Sequence, residues 1–415
     1  QLAEYVLPRL QHLEKSVIHN DANDHNVLVQ RPAIDQQQVT GLIDFGDMTH
    51  TYTVAGLAIA VAYAMLDKED PLLAASFIVE GYHDVLPLGD DELAVVFPMA
   101  CGRLAVSACM AAVQQRQRPD DPYLSVSQQP IQRTLQRLLE VHPRFAEVTF
   151  RHACGLTPNP AVVELGHWLD ANRDVVAPIL PMDLKNVSLP ILDLSPYNPA
   201  LPVGHIDGDT CVALATESMA EAGTELAVGR YDEARMIYTN AAFAASCPTG
   251  ERRTVHLGMD FFVAAQMPVH APLDGVVHAL ADRTDAQDYG PVIVLRHEVD
   301  DLVFYTLYGH LSRESLQALK PGQSIGSGQA FATVGTREVN GDWPPHLHLQ
   351  VITDLLDLDD DFPGVCRASQ RAVWTAFCPD PNLLIGLPAE AFPVSPADGE
   401  ATLAARRKLV GRNVS

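Results

Sequence analysis

Cysteine is scarce and unpatterned: seven residues in 415 (Cys101, Cys109, Cys154, Cys211, Cys247, Cys366 and Cys378), widely spread and with no C-x-x-C pair. An odd, scattered set excludes a disulfide framework and predicts free thiols in a reducing compartment. Basic residues are also few. Lys and Arg number 28 against 52 Asp and Glu, a formal net charge of −24, and that field repels nucleic acid and anionic membrane surfaces. Small or cationic ligands are the partners it admits. Long apolar runs are lacking too: Val54 to Leu66 is too short to cross a bilayer, and the next run is interrupted by Pro98 and Arg103, so no membrane helix is expected. With 47% apolar and 19% charged residues the chain is neither disordered nor a coiled coil. At roughly 150 residues per domain its length predicts two or three domains.

From Gln1 to about Phe150 a short apolar strand pair gives way to Ala/Leu/Val-rich stretches with helical spacing, Val54 to Leu66 and Leu93 to Gln115. That part reads as mostly helical. Prolines then cluster (Pro158, Pro160, Pro178, Pro181, Pro190, Pro196, Pro199 and Pro202). Each removes a donor and biases its predecessor towards extended geometry, which predicts a boundary or an extended connector. From about Val255 to Ile352 short Val/Ile/Phe/Tyr/Leu runs alternate with Gly, Pro and Asp, the texture of an all-β module. Phe392 to Gly399 is linker-like, and a small basic amphipathic stretch surrounds Arg406, Arg407 and Lys408.

Within the β module, His346-Leu347-His348 precedes Leu349-Gln350-Val351. In a strand, residues two apart share a face, so both imidazoles project the same way. An isolated H-x-H is a pair of ordinary histidines about nine times in ten, but this pair has company. His256-Leu257-Gly258-Met259-Asp260 offers a nitrogen and a carboxylate on what reads as a strand and turn. One histidine of the later pair added to His256 and Asp260 makes a His₂Asp set with an open fourth position, the arrangement in which zinc holds and acidifies a water. Taken singly, Asp260 reads as a turn cap and His256 as a residue packed beside Phe261 and Phe262. His310 follows the run Leu302 to Tyr308 through Gly309, where a turn histidine is the commoner fate. Gly322, Gly326 and Gly328 have no following helix with a Lys-Ser/Thr pair, so they read as hairpin turns rather than a phosphate loop.

These residues resemble the lysostaphin-type zinc endopeptidases over roughly Arg253 to Ile352. The resemblance rests on His256-x-x-x-Asp260, Ala271-Pro272-Leu273-Asp274-Gly275-Val276-Val277, Tyr308-Gly309-His310-Leu311-Ser312, Gly322-Gln323-Ser324-Ile325-Gly326 and Pro345-His346-Leu347-His348. It implies that His256, Asp260 and His348 bind zinc, that His310 and His346 assist catalysis beside it, and that the module hydrolyses peptide bonds. The stretch before H-x-H, Gly341-Asp342-Trp343-Pro344-Pro345, is bulkier than the family's small residues, which bears on substrate choice.

Near the amino end, His19-Asn20-Asp21 is followed by Asn26 and then by Leu42-Ile43-Asp44-Phe45-Gly46-Asp47. Phosphoryl transfer from ATP uses one carboxylate to orient the acceptor hydroxyl, and an amide with a second carboxylate to hold Mg²⁺. Asp21, Asn26 and Asp44 match those needs, although Asn/Asp clusters alone are turn formers. The pair of motifs resembles the catalytic and metal-binding loops of aminoglycoside phosphotransferase and choline kinase-like enzymes, which implies a catalytic Asp21 and a Mg²⁺ site at Asn26 and Asp44. Only 18 residues precede His19, so the expectation is a kinase-like carboxyl-terminal lobe lacking its nucleotide lobe.

The reading is therefore a multidomain α+β chain: a mainly helical kinase-like lobe over residues 1–157, a Pro-rich connector and lead-in over 158–252, a lysostaphin-like all-β barrel or sandwich (a duplicated hybrid motif) over 253–386, and a linker over 387–415. This order resembles bacterial fusion proteins that continue into a class III aminotransferase, which implies a pyridoxal phosphate domain further on; both ends are expected to be cut. Expected cofactors are Zn²⁺ in the β module and Mg²⁺ with ATP in the intact kinase. Expected substrates are a small amino or hydroxyl compound and a peptide-like amide, in the cytoplasm, with no nucleic acid or membrane partner and the oligomeric state open. A non-catalytic binding role for the β module is the competing hypothesis.

Overall fold

Apolar residues recur with helical spacing in the first 159 residues and alternate in twos beyond about residue 253, and the backbone follows that change. The structure, a computed structural model, describes residues 1–33, 36–117, 128–182, 184, 189–202, 204, 206–244, 250–392 and 399–412. The chain divides into two units, Gln1–Asn159 and Pro160–Ser415.

In the first unit β1 (Lys15–Ile18) and β4 (Thr49–Tyr52) form one antiparallel ribbon, and β2 (Val27–Ala33) with β3 (Gln36–Leu42) forms another. Among the described residues five helices follow: α1 (Val54–Ala64), α2 (Pro71–His83), α3 (Asp90–Gln117), α4 (Gln128–Leu138) and α5 (Pro143–Ala153). Asp70 caps α2 by accepting from the Leu73 N–H at 2.9 Å, with Pro71 in the first turn where its missing donor costs nothing. Leu57 and Val61 of α1 meet Leu93, Val96 and Phe97 of α3 and Phe150 of α5 in a shared core. Contrary to expectation, Pro98 and Arg103 do not interrupt α3, which is long and apolar enough by length and composition to cross a membrane. Its residues from Leu93 to Leu104 fill this core, Val106, Met110 and Val113 further along are exposed, and Arg103 is ion-paired to Asp21.

The second unit begins with α6 (Pro160–Ala171) and is built on an eight-stranded sheet of order β13-β10-β11-β12-β15-β8-β6-β5. The strands are β5 (Ile191–Leu192), β6 (Ala227–Gly229), β8 (Met259–Phe262), β10 (Gly275–Arg283), β11 (Gly290–Val299), β12 (Leu302–Gly309), β13 (Ser324–Ile325) and β15 (His346–Ile352). Its edges, β13 and β5, do not pair with each other, so the sheet is open rather than a closed barrel. Two small ribbons accompany it: β9 (Pro268–His270) with β14 (Ala330–Thr333), and β7 (Arg253–His256) with β16 (Val365–Arg367). Along β15 the period of two separates functions. Leu347, Leu349 and Val351 join the main core with Phe261, Ile293, Phe304 and Tyr308, while His346, His348 and Gln350 project from the other face.

The Pro-rich segment is not a mere connector. Residues 190–229 supply β5, β6 and α7 (Gly208–Ala222), and β6 hydrogen-bonds to β8. Proline spacing hid this because β5 and β6 are only two and three residues long, too short for a periodic signal. In the expected tail linker, Gly399–Arg412 is helical and Arg406 donates to the Leu201 carbonyl at 2.8 Å. The six described cysteines are unpaired thiols; Cys247 lies outside the described residues.

Leu347→Ala removes a fully buried side chain from the core face of β15 and leaves its histidine face untouched. It is expected to cost about 2–5 kcal/mol in urea unfolding, with metal stoichiometry unchanged in the fraction that remains folded.

Candidate metal centre

Four strands in register build the centre. Gly309 of β12 lies opposite His348 of β15, His348 opposite Asp260 of β8, and Asp260 opposite Gly229 of β6. One row across the sheet thus brings together residues from Gly229 to His348, remote along the chain, and β7 delivers His256 beside it. His256 Nε2 stands 3.0 Å from His348 Nδ1 and 3.3 Å from Asp260 Oδ1, which is itself 3.0 Å from His348 Nδ1. All three residues are buried, at most 3% exposed.

The outer ring nitrogens decide the tautomers. His256 donates from Nδ1 to the Arg230 carbonyl at 3.0 Å. His348 donates from Nε2 to Gln350 Oε1 at 2.9 Å; that oxygen is identified because Gln350 gives its Nε2 protons to the Pro363 carbonyl (3.1 Å) and Cys378 Sγ (3.3 Å). Tyr289 donates to the same Oε1 at 3.2 Å. With those protons facing outward, two nitrogen lone pairs and a carboxylate oxygen face one another with no hydrogen between them. Such a cluster repels itself unless a cation sits among the three atoms, and its spacing suits a tetrahedral N₂O site with metal distances near 2.0–2.2 Å. The residues present therefore fit a divalent metal.

Burial sets the protonation. It pushes His256 down to about 4, with Arg235 acting in the same sense. Burial alone would raise the Asp260 carboxyl, but His256 and Arg235 outweigh it and hold Asp260 well below the usual carboxylate range. Glu233, by contrast, is raised by burial despite its ion pair with Arg235.

The two further histidines stand beside this centre. His346 Nε2 is 3.9 Å from Asp260 Oδ1, and the His310 and His346 rings lie 4.1 Å apart. His346 donates from Nδ1 to the Pro344 carbonyl (2.7 Å) and His310 from Nδ1 to the Asn340 carbonyl (2.9 Å), which leaves Nε2 of each as a base. Burial, then the neighbouring His346 and His348, holds His310 well below its ordinary range; burial lowers His346. His310 adopts the left-handed region at φ 61°, a conformation kept at functional sites more than elsewhere. A cavity of about 650 Å³ opens here, walled by Ile237, Tyr238, Phe243 and Trp343 above His256, His310 and His346.

The phosphotransfer-type residues sit in the first unit. Asp21 Oδ2 accepts from Asn23 and Asn26, both at 3.0 Å, and Oδ1 accepts from Arg103 at 2.9 Å. His19 takes the Asp21 N–H on Nδ1 (3.3 Å) and donates from Nε2 to the Ile43 carbonyl (2.9 Å), which ties the Asp21 loop to the one carrying Asp44. Asp44 is exposed, in the left-handed region at φ 63°.

Two family models match separate parts of the chain: Peptidase family M23 over residues 254–359, and the Phosphotransferase enzyme family over residues 1–90. The chain thus carries a segment that matches the phosphotransferase family and a later domain that matches peptidase family M23. It spans well under half the length of the curated relatives it matches. Hydroxylysine kinase from Xenopus laevis is 34% identical over 133 residues, 31% of this chain and 36% of that one. An uncharacterized metalloprotease from Haemophilus influenzae is 34% identical over 103 residues, 25% of this chain and 20% of that one. Among solved structures, a zinc containing peptidase from Vibrio cholerae shares 30% identity, covering 26% of this chain and 30% of that one with a TM-score of 0.21.

Several residues around the M23 domain's centre escaped the sequence reading. Gln350 carried a signal, since it stands two after His348 on the same strand face. Arg230, Arg235 and Tyr238 carried none, because they lie in the segment read as a lead-in, before residue 254.

Gly258, between β7 and β8, has no room for a side chain: a Cβ there would stand 2.5 Å from His348 Cε1 and 2.6 Å from the Leu349 carbonyl. Gly258→Ala is expected to cost about 1–3 kcal/mol and to weaken metal binding at least about tenfold, read by chelator competition. In the metal-free protein, unfolded His256 titrates near 6.5 and folded His256 at about 4. Its share of stability is therefore complete above about pH 6.5 and shrinks, by about 3 kcal/mol in all, as pH falls towards 4. Urea midpoints of chelator-treated protein should drop between pH 7 and pH 4.5.

Proposed function

We propose that the M23 domain is a zinc-dependent hydrolase of amide or peptide bonds, with His256, Asp260 and His348 as the metal ligands. The observation that carries this reading is the proton arrangement: His256 Nε2, His348 Nδ1 and Asp260 Oδ1 converge with both imidazole protons turned away. Zinc held there would polarise the scissile carbonyl and acidify a water. The chain's own residues then handle the proton. His346 Nε2, nearest to Asp260, accepts it, and its fixed Nδ1–H keeps that ring oriented. His346 would then hand that same proton to the leaving nitrogen, with His310, packed against His346 and held by Asn340, as the second base beside it. Burial supports acceptance, since an imidazole kept neutral near pH 7 is ready to take a proton.

The cavity bears on the substrate. Apolar walls from Ile237, Tyr238, Phe243 and Trp343 and a volume of about 650 Å³ suit a small amide or a short peptide-like segment. For the other segment, the phosphotransferase match and the hydroxylysine kinase relatives support ATP-dependent transfer to a small amino-bearing hydroxyl compound. Asp21 would orient the acceptor and Asn26 with Asp44 would hold Mg²⁺. Unpaired thiols and ATP use support a cytoplasmic setting.

The test is zinc stoichiometry together with hydrolysis of a panel of small amides and peptides. Wild type is expected to bind one zinc. His348→Ala should lose it, whereas His310→Ala should keep it while turnover falls about 10²–10⁴-fold. A wild-type chain that binds zinc and cleaves nothing, or a His310→Ala variant with full turnover, would overturn the hydrolase reading.

A further inference from the structure

Asp260 has a second oxygen, and its partner is a buried guanidinium. Arg235 donates from Nη1 to Asp260 Oδ2 at 2.6 Å, from Nε to Glu233 Oε2 at 2.9 Å, and from Nη2 to the Arg230 carbonyl at 2.9 Å. That carbonyl also takes the Nδ1 proton of His256. One side chain therefore reaches two of the three converging groups from behind: it occupies the outer oxygen of Asp260 and anchors the acceptor that sets the tautomer of His256. The arrangement is tight. A Cβ on Gly229, directly across from Asp260, would stand 2.9 Å from Arg235 Nη2 and 3.2 Å from Asp260 Cβ, so only glycine leaves the guanidinium its place. Arg235 is shared between the two carboxylates, 2.6 Å from Asp260 and 2.9 Å from Glu233.

We propose that Arg235, lying outside the M23-matched residues, is a positioning residue of the metal centre: by engaging Asp260 Oδ2 it makes Asp260 a one-oxygen ligand, and by sharing the Arg230 carbonyl it keeps His256 Nε2 facing the metal. The proposal rests on the zinc reading above. It assigns a role at the site to the stretch from β6 to Tyr238. Lysine cannot replace this fork, because an ammonium has neither the planar geometry nor the reach to meet three acceptors on three sides.

The test uses the full chain as wild type and Arg235→Lys, with zinc affinity by chelator competition, the visible spectrum of the cobalt-substituted protein, and urea unfolding of the metal-free form. The wild type binding one zinc checks the metal reading by itself; if it binds none, that reading and this proposal fall together. Arg235→Lys is expected to bind zinc about 10–100-fold more weakly. Its cobalt absorbance should drop about twofold or more as Asp260 turns both oxygens to the metal and coordination rises from four to five. Unchanged affinity and spectrum overturn the proposal while leaving the metal site standing. So does a lowered unfolding midpoint with an unchanged spectrum, the mark of a merely structural arginine. If Arg235→Lys does not fold, Glu233→Gln decides by the same readouts: it removes the charge paired with Arg235 and leaves a single oxygen for Arg235 Nε and the Leu194 N–H to share, and should shift affinity and spectrum in the same direction by a smaller factor, and no shift overturns the proposal.

Discussion

Two imidazole lone pairs and a carboxylate oxygen held about 3 Å apart in a buried row are the constraint on which the second unit's chemistry depends. Left to themselves these groups repel, and burial removes the water that would otherwise separate them. The arrangement persists because each is braced from behind: Arg230 and Gln350 fix the rings, and Arg235 fixes the carboxylate. The braces rest in turn on sheet register. A slip of one residue between β15 and β8 would send His348 to the core face and Leu347 or Leu349 into the cavity.

The same register explains where small residues are required. Gly309 and Gly229 end the row on either side of His348 and Asp260, and added side chains there would meet Tyr289 and Arg235. Gly258 lies against the His348 ring. These are places where backbone must approach a functional side chain closely, in contrast to Gly322, which has open space around its missing Cβ. The stretch Gly341–Pro345 has a similar supporting part: the carbonyls of Asn340 just before it and Pro344 within it orient His310 and His346.

In the first unit the logic is one of loops pinned together rather than strands in register. His19 bridges the Asp21 loop to the Asp44 loop, and Arg103, projecting from a long core helix, holds the Asp21 carboxylate. The phosphotransferase and M23 segments each carry their own constellation. The chain thus places two side-chain constellations on separate cores.

Much of this was legible in the residues themselves. H-x-H in an apolar β context, His256-x-x-x-Asp260 and the Asp21/Asn26/Asp44 pattern are local features, because strand alternation and turn chemistry act over a few positions. The helical texture of Val54–Leu66 and Leu93–Gln115 was equally local. What sequence could not supply was partnership across distance. Arg235 stands 25 positions before Asp260 in a segment whose prolines imitate a linker, and nothing in its spacing says that its guanidinium enters the sheet. The tautomers of His256 and His348 were likewise undetermined, because a ring's proton goes to whichever acceptor the fold puts beside it. The sequence by itself determined which groups were available and which strand face they shared. The tertiary structure alone decided which atoms point at one another, since strand pairing and long-range hydrogen bonds depend on neighbours that are remote along the chain.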